Sequence, residues 1–203
     1  MSQIALPLTL ASTGRPRAIV IGKGNRAVAE ALQSPETWPY RTAVLVGPPR
    51  SGKSLFAQWF ATSGKGEAVD AANAQDETAI FHRWNRAQED GTALLLVVDG
   101  ERWEIDLPDL QTRMRASLQL EIGPPDDEMA ADLILAHAGQ RGLALGEGAP
   151  AYLVPRMERS YAAIERVVGE IDRLSLERKV PATLSVWRDA LEAVHGPEQG
   201  RLL

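Results

Sequence analysis

Lys53 and Ser54 are the residues of this chain best placed to work on a phosphate. They close the run Gly47, Pro48, Pro49, Arg50, Ser51, Gly52, Lys53, Ser54, which satisfies G-x-x-x-x-G-K-[ST]. Backbone N–H groups converge on phosphate oxygens only where side chains leave the approach open, and the two glycines supply that access. A lysine ammonium at the end of such a loop reaches the β- and γ-phosphates, the serine hydroxyl holds Mg²⁺, and the N-terminus of a following helix adds partial positive charge. Thr42 to Val46 reads as a strand and Leu55 to Phe60 continues as a helix, so the motif has the strand–turn–helix context its mechanism needs. The competing reading is a Gly/Pro-rich surface turn. The complete motif with both flanks favours a nucleotide cradle running from Gly47 to Leu55.

A phosphate-bound Mg²⁺ also needs a carboxylate at the end of a second apolar strand, and hydrolysis usually needs a neighbouring one to orient water. Asp99 follows the strongest apolar run, Ala93 to Val98, and Asp70 follows a much weaker one, Glu67 to Val69. Pattern alone favours Asp99. Neither is directly followed by Asp or Glu, since Glu101 stands two positions beyond Asp99, so weak intrinsic hydrolysis is expected whichever serves.

The elements that must position these groups alternate in type. Asn25 opens an Ala-rich helix to about Gln33, broken by Pro35 and Pro39 before the loop's strand. Glu77 to Glu89 has helical spacing, with Ile80, Phe81, Trp84 and Ala87 on one face. The unbroken apolarity of Ala93 to Val98 predicts burial on both faces, as in a parallel sheet. Leu107 starts a helix through Arg113 and Arg115, and Ser117 to Ile122 reads as a further strand. Beyond Pro124 and Pro125 everything is helical in pattern, near 126–141, 148–155, 158–178 and 185–194, with Asp126 and Ser185 as N-terminal signals. Strands alternating with helices, then helices only, predict an α/β nucleotide domain followed by a small α-helical domain. Trp59, Trp84 and Trp187 are expected in the core. His82, His137 and His195 lack ligand spacing, and the acidic run 126–128 reads as a helix cap.

Composition narrows the function classes. The chain has 203 residues, 44% hydrophobic and 24% charged, and no cysteine, which excludes disulfides, thiolate metal sites and cysteine nucleophiles. No window reaches the length of a membrane span and the N-terminus has no basic n-region, so a cytoplasmic location is expected and no membrane partner. The net charge of −5 is uneven, with seven Lys/Arg against two Asp/Glu in residues 1–60. The acidic remainder does not suit tight binding to duplex DNA. Gln3, Ile4, Ala5, Leu6, Pro7 and Leu8 precede a linker-like Ala11–Gly14 run, and Pro7 favours an extended conformation. A tethered apolar peptide of this kind suits a pocket on another protein, with Leu6 and Leu8 as anchors; a frayed terminus or an edge strand on its own domain is the alternative.

The series Gly22–Arg26, the P-loop, Leu107–Arg113, Ile122–Asp126 and Arg156–Ser160 resembles the AAA+ module of the bacterial initiator DnaA. More closely, it is similar to the shorter Hda family, the regulatory inactivators of DnaA, over nearly the whole chain. That resemblance implies a tail at 1–14, an α/β P-loop NTPase (AAA+) domain at 15–124 and an α-helical lid domain at 125–203. It makes Asp70 rather than Asp99 the Mg²⁺-side carboxylate alongside Ser54. Only seventeen positions separate Lys53 from Asp70, where the family usually fits a further strand and helix, so a parallel sheet of about four core strands is implied. The implied ligand is ADP or ATP with Mg²⁺. Asn25 matches a residue near the nucleotide, although a helix N-cap explains it equally well. Arg113 matches an arginine finger acting in trans. Ser117 stands where DnaA has a second arginine, and Ala162 replaces the sensor 2 arginine, with Arg159 one turn away as a substitute. Gln3–Leu8 looks like the motif with which Hda proteins bind the sliding clamp, the β subunit of DNA polymerase III. The implied partners are therefore DnaA and the DNA-loaded clamp, with DNA reached only through the clamp; homodimerisation stays open, and no counterpart of DnaA's helix-turn-helix is expected. The implied activity is stimulation of ATP hydrolysis by DnaA, which prevents re-initiation. A stand-alone AAA+ ATPase of the loader kind and a non-catalytic adaptor recruiting DnaA to other partners are the alternatives.

Overall fold

The computed structural model describes residues 19–100 and 102–196, so the tail segment Gln3–Leu8 lies outside the described residues. These residues fall into two compact units, 23–123 in one and 19–22 with 124–196 in the other.

In the first unit every strand is followed by a helix before the next strand is laid down. The order is α1 (Arg26–Ala31), β1 (Thr42–Val46), α2 (Lys53–Thr62), β2 (Glu67–Val69), α3 (Glu77–Asp90), β3 (Leu94–Val97), α4 (Pro108–Ala116) and β4 (Leu118–Glu121). Parallel neighbours require such crossovers. The four strands form one parallel sheet in the order β2-β3-β1-β4, as the sequence implied, with Ala43 opposite Leu95 on one side of β1 and Leu118 on the other.

All four residues of β3 are buried, because helices cover both faces of the sheet. Val44, Leu94, Leu96 and Val98 pack with Ile80, Trp84 and Ala87 of α3 and Leu110 and Met114 of α4. The opposite face, carrying Ala43, Leu45 and Leu95, lies under α2, whose Phe56 and Phe60 are fully buried. Trp38 stacks on Phe60 with ring centroids 5.3 Å apart and is a core residue, whereas the expected Trp59 is only half-buried. The difference is geometric: Phe56 and Phe60 already fill the inward stripe of α2, and Trp59 falls beside it.

The second unit is helical: α5 (Asp127–Arg141), α6 (Ala149–Leu153), α7 (Tyr161–Arg178) and α8 (Leu184–His195). One apolar cluster joins Ile134 and Ala138 of α5, Leu153 of α6, Ile164, Val168 and Ile171 of α7 and Val186, Ala190 and Trp187 of α8. Asp126 caps α5 by accepting from the Met129 N–H at 2.9 Å, as expected of the acidic run. Residues 158–160 stand outside α7, because Ser160 is the N-cap and accepts from the Ala163 N–H at 3.2 Å. Ser185 is not the start of α8. The N-cap is Thr183, whose side chain makes no capping bond and lies 3.3 Å from the Ser185 hydroxyl.

Candidate functional site

β1 delivers the chain to Gly47 at the carboxyl end of the sheet, where ligands of open α/β folds collect. A Cβ at Gly47 would sit 2.9 Å from Cβ of Ile122, so the strand-to-loop exit requires glycine. The loop then turns through Arg50 at φ +65° and Gly52 at φ +89°, both left-handed, and Gly52 becomes the N-cap of α2. Phe56 and Phe60 fix α2 on the sheet, so its free N–H groups and dipole point into the loop.

Within this loop Lys53 is only 8% exposed. Its ammonium donates to the carbonyl oxygens of Gly47 at 2.7 Å and Pro48 at 3.0 Å. Burial lowers its pKa from the ordinary lysine value, opposed first by the field of Asp99 and then by that of Asp70. Asp99 follows the strand next to β1 and Asp70 the strand one further out. Ser51 Oγ is buried and has no hydrogen-bond partner, which is costly for a hydroxyl unless a ligand satisfies it. Ser54 is exposed in the first turn of α2. A hidden cation resting on two neutral carbonyls, an orphaned hydroxyl and a helix N-terminus fit a polyphosphate, whose anionic oxygens are stronger acceptors than those carbonyls.

Asn73 was not singled out by sequence. Its amide donates to the Asp99 carbonyl at 2.9 Å and its Oδ1 accepts from the Asp99 N–H at 2.8 Å, so the side chain extends the sheet by one bidentate rung. This fastens the segment after Asp70 to the segment carrying Asp99. Asp70 itself accepts from the Ala71 N–H at 3.1 Å. Asn25 stands at the N-cap position of α1 but makes no side-chain capping bond and is 2% exposed, so capping does not explain it.

The remaining predicted residues lie elsewhere. Arg113, on α4, donates from Nη1 to Asn85 Oδ1 at 2.8 Å. Its guanidinium carbon lies 4.1 Å from the ring centroid of Trp84 and 4.5 Å from that of Phe81, all three partners being on α3. Arg159 belongs to the helical unit and pairs with Asp127, Nε to Oδ1 2.9 Å, both side chains being 62% exposed. Among the described residues no three His, Asp or Glu side chains gather as a metal site, and no helix is long and apolar enough to cross a membrane.

Comparison with known proteins sets this geometry in a family of folds. No family model matches the chain. Over 120 residues, 57% of this chain, it is 25% identical to the chromosomal replication initiator protein DnaA of Lactiplantibacillus plantarum, and it spans only 26% of that protein. Domain III of Thermotoga maritima DnaA superposes with a TM-score of 0.71 at 14% identity, covering 87% of this chain and 95% of that one. The fold is that of a AAA+ P-loop NTPase. A replication initiator DnaA bound to AMPPCP and single-stranded DNA superposes with a TM-score of 0.58 at 17% identity, over 78% of this chain and 65% of that one. The Holliday junction branch migration motor RuvB of Thermotoga maritima follows with 0.60 at 15% identity, over 85% and 70%.

Proposed function

We propose that this chain is a DnaA-related regulator of the Hda kind. It holds an adenine nucleotide, ADP or ATP with Mg²⁺, on the Gly47–Leu55 loop. It docks on the DNA-loaded sliding clamp through Gln3–Leu8 and presents Arg113 to ATP held by DnaA. Lys53 and the first turn of α2 bind the resident nucleotide's phosphates, Ser54 and Asp70 hold its Mg²⁺, and Arg159 takes the place of the arginine missing at Ala162. An arginine supplied in trans neutralises charge that develops on the phosphoryl group being transferred, a contribution of about 10³–10⁵ in rate. DnaA would be converted to its ADP form and initiation restrained, in the cytoplasm.

The observation that carries this reading is the state of Arg113. It is half-buried on a formed surface, and among the described residues it has no carboxylate partner. A cation held by neutral groups keeps its charge for an anion from outside. Arg113→Ala is expected to remove stimulated hydrolysis by clamp-bound DnaA mixtures, a loss of at least about 10³-fold, while clamp binding measured by pull-down is kept. Unchanged stimulation would refute the role.

One observation favours a second reading, a self-sufficient ATPase of the loader kind. Asp70 and Asp99 both follow the carboxyl ends of sheet strands, β2 and β3, at the edge where the loop begins, which is more acidic equipment than a single carboxylate supplies. Rapid ATP turnover by the purified chain without partners would support that reading, and turnover at background level would reject it.

A further inference from the structure

Arg113 sits in a slot whose three walls come from one face of α3. Phe81, Trp84 and Asn85 are spaced for adjacent positions on a helix surface, and each contacts the guanidinium, at 4.5 Å and 4.1 Å for the ring centroids and 2.8 Å for the Asn85 oxygen. The slot is rigid. Trp84 is buried in the sheet's core, and Glu77 at the start of α3 accepts from the Asp106 N–H at 3.0 Å and the Leu107 N–H at 2.7 Å, tying α3 to the start of α4.

The chemistry of the third wall matters most. An arginine parked for structural purposes usually meets a carboxylate, which fixes its direction and cancels its charge. Asn85 offers the same kind of acceptor oxygen without the charge. Two aromatic faces restrict the guanidinium plane by cation–π attraction, again without neutralising it. Resting on the proposed trans action of Arg113, we infer that Asn85 is a positioning residue, and that its neutrality orients the guanidinium while leaving its full charge for the partner's phosphates.

This makes a prediction that a merely structural role does not. Asn85→Asp keeps an acceptor at the same distance and strengthens the bond to Arg113, so a structural wall would tolerate or welcome it. A presenting wall would not, because the new carboxylate competes with phosphate for the cation. The test measures ATP hydrolysis by DnaA with DNA-loaded clamp, titrating the full chain as wild type, Asn85→Asp, Asn85→Ala and Arg113→Ala. Asn85→Asp is expected to lower the maximal stimulated rate to within about tenfold of Arg113→Ala, with the half-saturating concentration unchanged and an unfolding midpoint no lower than wild type. Asn85→Ala, which loses only one hydrogen bond to a charged group, is expected to lose about tenfold and so to rank above Asn85→Asp. If Arg113→Ala abolishes stimulation but Asn85→Asp equals or exceeds Asn85→Ala, the positioning role of Asn85 is overturned. If Arg113→Ala leaves stimulation intact, the trans action on which it rests fails instead.

Discussion

Gly66 immediately precedes β2, and replacing it with alanine puts an atom where backbone already stands. A Cβ there would lie 2.3 Å from the carbonyl oxygen of Ala93 and 2.8 and 2.9 Å from two ring carbons of Phe60, which is fully buried. That oxygen accepts from the Glu67 N–H at 2.8 Å and opens the β2–β3 ladder. Reaching even the shortest tolerable contact, 3.0 Å, moves β2 back by about 0.7 Å and stretches that bond beyond the usual range. The lost hydrogen bond costs about 1 kcal/mol and overpacking against Phe60 about 1–3 kcal/mol, or roughly 2–4 kcal/mol together. For a chain of 203 residues that is a fall of roughly 5–15 °C in Tm. Differential scanning calorimetry of Gly66→Ala measures it, with Gly139→Ala as the control, since a Cβ added there meets no atom outside its own helix within 4 Å. Because β2 ends one residue before Asp70, Mg²⁺-dependent nucleotide affinity is expected to fall in the same variant. A Tm shift below about 2 °C would refute the close-approach reasoning.

Two further outcomes follow from the geometry. Asn73→Ala removes both bonds to the Asp99 backbone and is expected to lower ADP affinity in Mg²⁺ about tenfold, read by calorimetric titration; equal affinity would show that the clamp on Asp99 is idle. Tyr161 has its pKa pushed up to about 12, chiefly by burial and then by Asp126. Its folded value lies above the ordinary phenol value, so its contribution to stability is whole below about pH 10 and is lost as pH climbs through 12. Urea midpoints should therefore drop between about pH 10 and 12 in the wild type and less in Tyr161→Phe; parallel curves would exclude Tyr161 as the cause.

Local features of the sequence were the legible ones. The P-loop could be read because its chemistry fixes residue types at fixed spacing, and β3 because four consecutive large apolar residues have only a two-sided burial to explain them. The four-stranded parallel sheet was implied by the resemblance to the DnaA-related family, in which a further strand and helix usually fill the interval between Lys53 and Asp70. What stayed hidden depends on residues far apart in sequence. The slot around Arg113 joins positions 28 apart, and the Asn73 clamp joins positions 26 apart. Gly66 looks like an ordinary loop glycine until β3 is placed against it. Trp59 falls beside the core because a helix face admits only so many large side chains, and Asn25 has the type and place of an N-cap while its side chain is buried without capping.

The central claim is that the amides and ammonium of the Gly47–Leu55 loop hold a nucleotide diphosphate. Isothermal titration of the full chain with ADP and Mg²⁺ tests it most directly, beside Lys53→Ala. The account predicts saturable one-to-one binding that the substitution abolishes without loss of the folded state. Absence of binding by the wild type, or equal binding by Lys53→Ala, would contradict it.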